Sequence, residues 1–147
     1  MDWDEYIKWG EEVVHWGSNY RKNIQNFPVR SQNKPGDTFN SLPVSPPEKP
    51  EPIKNIFDDF NKLIMPGITH WQHPRFFAYF PSNAAPASVL AEMLANTIGS
   101  QCMLWQTSPA ATELEEKMID WLRMSMGLPD GFKGIIQDTA SSATLTA

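Results

Sequence analysis

The residues best suited to chemistry lie in two stretches. One is Asp138-Thr139-Ala140-Ser141-Ser142, which follows a short apolar run and opens a helical pattern. Small side chains there let the backbone approach a ligand closely. Free amides at a helix start, with hydroxyls from Thr139, Ser141 and Ser142, suit a phosphate. The same residue types also make an ordinary helix cap. The other stretch, 68–83, gathers Trp71, Phe76, Phe77, Tyr79 and Phe80 beside His70, His73 and Ser82. A loop so rich in aromatic rings lines a ligand site, or else covers a small apolar cluster of its own.

Other chemistries find no support. His70 and His73 have no carboxylate spaced to complete a metal site, and read as satisfied structural histidines. No nucleophile elbow, P-loop or dinucleotide fingerprint occurs. The pairs Asp4-Glu5, Glu11-Glu12, Asp58-Asp59 and Glu115-Glu116 are helix-face charges and imply no acid–base couple. Cys102 is the single cysteine, so neither an intrachain disulfide nor a cysteine metal cluster fits.

These stretches need elements to carry them. Residues 1–26 read as an amphipathic helix with Trp3, Tyr6, Ile7, Val13, Val14, Gly17 and Tyr20 near one face. Such a helix packs on its own domain or lies as an exchange arm across a subunit partner. Residues 27–52 hold seven prolines and are expected to run as an extended strap without helix or central strand. Residues 53–65 form a second amphipathic helix, stopped by Pro66-Gly67. The aromatic loop follows, with a short extended piece between Pro74 and Pro81. Residues 85–99 and 109–126 are the third and fourth helices, the latter capped by Ser108 and packed through Leu114, Met118, Trp121, Leu122 and Ser125. A strand is expected at Ile135–Gln137. The organisation splits into 1–83, a helical arm with strap and aromatic loop, and 84–147, the opening of a second domain.

Of the 147 residues 41% are hydrophobic and 20% charged, which excludes a wholly disordered chain, a collagen and a coiled coil. A net charge of -5 argues against nucleic acid or an anionic membrane as partner. No apolar run is long enough for a membrane span, and the acidic start is unlike a signal peptide, so a soluble cytoplasmic protein is expected. From Phe76 to Thr112 the only charged residue is Glu92. A segment so poor in charge expects to be covered by another chain, a cofactor or further protein.

Three blocks carry a resemblance. Thr69-His70-Trp71-Gln72-His73-Pro74-Arg75-Phe76-Phe77-Ala78-Tyr79-Phe80-Pro81-Ser82 resembles the signature of the pyridoxal-phosphate-dependent aromatic-L-amino-acid decarboxylases, members of the group II decarboxylases. Trp105-Gln106-Thr107-Ser108-Pro109-Ala110-Ala111-Thr112-Glu113-Leu114-Glu115 resembles the second block of that family. Ile136-Gln137-Asp138-Thr139-Ala140-Ser141-Ser142-Ala143-Thr144 resembles the third. The order and spacing are those of the family, and the likeness covers essentially the whole chain.

The resemblance implies a mainly α N-terminal arm and the start of the large domain of an α/β, fold-type-I enzyme. It implies pyridoxal 5'-phosphate as cofactor and an obligate homodimer. It places Trp71, Tyr79, Phe80, Pro81 and Ser82 in the substrate pocket, and Thr139, Ala140 and Ser141 on the cofactor phosphate. Gln101 and Met103 would line the neighbouring subunit's site; both differ from the residues of the animal enzymes. The implied reaction is decarboxylation of an aromatic L-amino acid to its amine and carbon dioxide. In that family the lysine that carries the cofactor lies beyond residue 147, and none of the eight lysines here sits in its context. The chain is therefore expected to supply substrate and phosphate contacts within a longer enzyme and to be inactive alone. The alternatives are an aromatic aldehyde synthase, a decarboxylase of a non-aromatic acid, or a non-catalytic helical dimerisation fragment.

Overall fold

The computed structural model describes residues 1–80 and 84–147. The described residues are helix, turn and coil, without a strand. They fall into two units, Met1–Asn83 and Ala84–Ala147.

In the first unit, α1 runs from Trp3 to Asn23. Asp2 caps it: its carboxylate accepts the Asp4 amide at 3.0 Å and the Glu5 amide at 2.8 Å. Asp4 and Glu5 in the first turn and Arg21 and Lys22 in the last complement the helix dipole. A 3₁₀ turn, Ile24–Asn26, ends it. Trp9 and Trp16 pack edge-on to Phe57, 5.8 and 6.3 Å between ring centres. Trp16 also meets Phe60 at 5.3 Å, and its indole N–H donates to Asn61 Oδ1 at 2.8 Å. The helix therefore packs on its own unit through one face. Trp3, Ile7 and Val14, which lie away from that face, are exposed.

The strap departs from the expectation for 27–52. A five-residue helix, α2 (Asp37–Ser41), forms inside it. The window between Pro35 and Pro43 is free of proline, and Gly36 at φ 95° makes the left-handed turn that starts the helix. The strap is tied down rather than merely laid over a surface. Ser31 Oγ donates to Pro66 O at 3.0 Å, and the His70 amide donates to Val29 O at 3.0 Å.

The helix expected over 53–65 is not uniform. α3 (Ile53–Asp59) widens into a π turn, Phe60–Ile64, and then tightens into a 3₁₀ turn, Met65–Gly67. Pro66 has no N–H to offer the carbonyl four residues back, and the Met65 amide reaches Phe60 O instead.

In the second unit, α4 spans Pro86–Ile98 and is stopped by Gly99 in the left-handed region, φ 62°. α5 spans Pro109–Ser125. Ser108 stands at its N-cap, but its side chain makes no capping bond. Its carbonyl instead accepts the Thr112 amide and hydroxyl, each at 3.1 Å. The face expected to be inward is turned out: Leu114 is 62% and Trp121 52% exposed. The face that gains cover carries Glu115, Ile119 and Arg123, because the segment 128–136 folds back along it. Arg123 fastens that return. Its guanidinium donates to Leu128 O at 2.8 Å and pairs with Asp120 at 2.8 Å and Asp130 at 2.9 Å.

The strand expected at Ile135–Gln137 is absent. A strand needs a partner ladder, and here the Ile136 amide donates to the Glu115 carboxylate at 2.9 Å instead. The closing helix, α6, is Ala140–Thr146.

Candidate functional site

In the first unit the loop after Gly67 is built from two buried histidines outward. His70 and His73 are 2% and 3% exposed. The Tyr20 hydroxyl lies 2.7 Å from His70 Nδ1. His73 Nδ1 accepts the Arg75 amide at 3.0 Å, and Nε2 lies 3.4 Å from Gln25 O. The reading of both as satisfied structural histidines holds. Burial pushes the His70 imidazole below its ordinary value, with His73 adding a smaller effect of the same sign. Burial raises the Tyr20 phenol, against a smaller opposing effect of Arg21.

Between and beyond the histidines, the rings face outward. Trp71 stacks on Phe76 at 5.0 Å and on Tyr79 at 5.5 Å, with planes 17° apart in the second pair. Tyr79 is the one non-glycine residue with positive φ, 54°, among those described. A bulky side chain rarely adopts that conformation, and it persists where surrounding contacts hold it. The stack on Trp71 supplies such a contact. Between Pro74 and Phe80 the loop is turn, bend and coil without a strand; the end of the expected extended piece, at Pro81, lies outside the described residues. Phe80 is exposed, while Pro81 and Ser82 lie outside the described residues. The structure thus brings Trp71 and Tyr79 together, and adds Phe76 to them.

In the second unit, Gln101 and Met103 sit in the connection from α4 to α5, both exposed. The Thr107 hydroxyl lies 2.7 Å from Gln101 O and 2.8 Å from Leu104 O, which fixes this turn. Thr139 caps α6 reciprocally with Ser142: the Ser142 amide donates to Thr139 Oγ1 and the Thr139 amide to Ser142 Oγ, each at 3.2 Å. Asp138 accepts a hydrogen bond from the Ser142 hydroxyl, which holds its carboxyl below the ordinary carboxylate range. The amides of Ala140 and Ser141, at the first two helical positions, have no acceptor within the helix. Both residues are exposed. Two open N–H groups and the Ser141 hydroxyl form a donor set that fits a phosphate, with Thr139 spent on shaping the turn. The family's cofactor phosphate is chemically compatible with this turn.

The sequence pattern of the pyridoxal-dependent decarboxylase conserved domain matches residues 35–147. The chain belongs to the pyridoxal-dependent decarboxylase family. Among relatives of this family, phenylacetaldehyde synthase of Arabidopsis thaliana is 43% identical over 99% of this chain and 31% of its own length. Aromatic-L-amino-acid decarboxylase of Mus musculus is 41% identical over 100% of this chain and 32% of its own. Among solved structures, Catharanthus roseus tryptophan decarboxylase in complex with L-tryptophan superposes with a TM-score of 0.91 at 37% identity. It covers 96% of this chain and 31% of that one. The chain thus spans about a third of the length of the family members it matches.

Reading the sequence missed three contributors: Tyr20 as partner of His70, Phe76 as part of the stack, and Glu115 as acceptor for the Ile136 amide. The spacing of the aromatic run held a trace of Phe76. Nothing local signalled the other two, since each bond joins residues far apart in the chain.

Proposed function

We propose that this chain supplies the substrate shelf and part of the phosphate cradle of a pyridoxal-phosphate-dependent carboxy-lyase that converts an aromatic L-amino acid to its amine and carbon dioxide. The observation that carries this reading is the stacked Trp71–Tyr79 pair, with Tyr79 held at φ 54°. A planar pair of this kind offers a ring face to a planar substrate side chain, worth roughly 0.5–1.5 kcal/mol beyond buried area. The relatives support it, being named as decarboxylases of tryptophan, tyrosine and aromatic L-amino acids.

The first unit then serves as the arm that carries the shelf, and the second as the opening of the cofactor-binding domain. Trp71 and Tyr79, with Phe80, Pro81 and Ser82, meet the substrate. Gln101 and Met103 line the neighbouring site of a homodimer. The Ala140 and Ser141 amides and the Ser141 hydroxyl hold the phosphate, while Thr139 holds the turn in shape. Bound pyridoxal phosphate supplies the electron sink for the pair left behind as carbon dioxide departs.

Full-length enzyme, loaded with the cofactor and given L-tryptophan, L-tyrosine or L-dopa, tests the reading. One amine per carbon dioxide is expected; no turnover of any aromatic amino acid would overturn it. The similarity to phenylacetaldehyde synthase favours one second reading, oxidative decarboxylation to the aldehyde. That reaction consumes oxygen and releases ammonia and peroxide, so peroxide in place of amine identifies it.

A further inference from the structure

The most buried polar groups of the first unit are not among those that meet the substrate. His70 lies one residue before Trp71 and is bound on three sides. Tyr20, in the last turns of α1, places its hydroxyl 2.7 Å from Nδ1. The His70 amide donates to Val29 O at 3.0 Å, and its carbonyl accepts the His73 amide at 2.9 Å. His73 in turn accepts the Phe76 amide at its carbonyl, 2.9 Å. Residues 70–76 are thus one clip, and it carries exposed Trp71 and half-buried Phe76 of the stack.

Two neutral groups suit this bond. A neutral imidazole with its proton on Nε2 takes the phenol O–H at Nδ1. The rings reinforce it: Tyr20 lies against Phe27 at 5.4 Å, and Phe27 against His70 at 4.9 Å. The hydroxyl is not needed to keep α1 in place. Trp9 and Trp16 pack on Phe57 and Phe60, and Trp16 also bonds Asn61, independently of it. Among the described residues the hydroxyl has one hydrogen-bond partner, and that partner is the first residue of the clip.

We propose that the Tyr20–His70 hydrogen bond is the positioning contact of the substrate shelf, tying the clip to α1 and so setting the angle at which Trp71 and Tyr79 meet an aromatic side chain. This rests on the reading of Trp71 and Tyr79 as that shelf. Tyr20 and His70 are positioning residues, since they act on the substrate through Trp71. Tyr79 gives the coupling its sensitivity. Its left-handed backbone is held against Trp71, and a small rotation of the indole releases it.

The test uses the full-length, cofactor-loaded enzyme. Tyr20→Phe removes only the hydroxyl; His70→Leu removes the acceptor; His70→Asn keeps an acceptor near the place of Nδ1. Two readouts are taken: KM and kcat for L-tryptophan, and the near-ultraviolet circular dichroism of Trp71, obtained as the difference from Trp71→Phe in each background. Tyr20→Phe and His70→Leu are each expected to raise KM roughly three- to ten-fold, the worth of one buried hydrogen bond. Each should leave kcat within about two-fold and lose the Trp71 signal. The double variant should be no worse than either single one, and His70→Asn should recover most of the KM. An unchanged KM with the Trp71 signal intact would overturn the proposal, as would additive losses in the double variant. A lost Trp71 signal with KM unchanged would uphold the brace and sink the reading of the stack as the substrate shelf. Where Tyr20→Phe does not fold, His70→Asn against His70→Leu decides by the same two readouts.

Discussion

His70 is a weak base made weaker by its place. Burial lowers its proton affinity below the ordinary value of 6.5, and the neighbouring His73 adds to the effect. The sign of the consequence follows from proton binding. Above pH 6.5 the imidazole is neutral folded and unfolded, and its contacts are fully available. Below that value the unfolded chain takes up a proton that the folded site refuses, so stability falls with pH until the folded site also titrates. In the full-length enzyme, the Trp71 circular dichroism is therefore expected to persist at pH 6.5 and to fade only at more acid values, where the folded site itself takes up the proton. His70→Asn, which does not titrate, should flatten the profile. A wild-type signal equally steep in the Asn variant would assign the transition to another group.

The segment that returns along α5 to the Thr139 turn depends on a close approach. Gly134 faces Ile119, and a Cβ there would stand 2.8 Å from Ile119 Cγ2. That methyl sits directly on a branched carbon and cannot swing aside as a long side chain would. Gly134→Ala is expected to cost about 1–3 kcal/mol through forced displacement of the return. It should also weaken cofactor binding, since Ile135–Asp138 leads into the Thr139 cap. Gly131→Ala is the control: a Cβ there meets no atom within 4 Å. Cofactor titration and thermal unfolding of both full-length variants check this, and equal behaviour would remove the steric argument. The bonds from Arg123 to Leu128 O and from Ile136 to Glu115 hold the same return, so backbone that lacks a partner strand is anchored by side chains.

Among described apolar residues Ile24 alone is buried, at 8% exposure, while α4 presents Val89, Leu90, Leu94 and Ile98 to its surroundings. So little internal cover leaves these residues few buried apolar contacts of their own. Purified as residues 1–147 alone, it is expected to release no amine from any aromatic amino acid. The measurement is amine detection in a sample shown by intact mass to be free of longer chains. Measurable product would mean that a lysine among these residues serves the cofactor, contrary to the family pattern.

Much of this was legible in the residues. Local signals placed α1, α4 and α5, because caps, proline starts and glycine stops act through neighbours a few positions apart. The family motifs, being contiguous, marked the aromatic run and the turn that Thr139 caps. What sequence periodicity could not tell was which apolar face finds cover. The stripe on α5 is exposed and the Glu115–Ile119–Arg123 face is the one packed, because the nearest chain to return is the short, polar-anchored segment 128–136. Nor could spacing show that Tyr20 reaches His70 across fifty positions. Helix starts and stops are short-range and so are written in order along the chain. The choice of covered face and the bracing of the aromatic stack depend on which distant segments meet, and that is settled only when the chain folds.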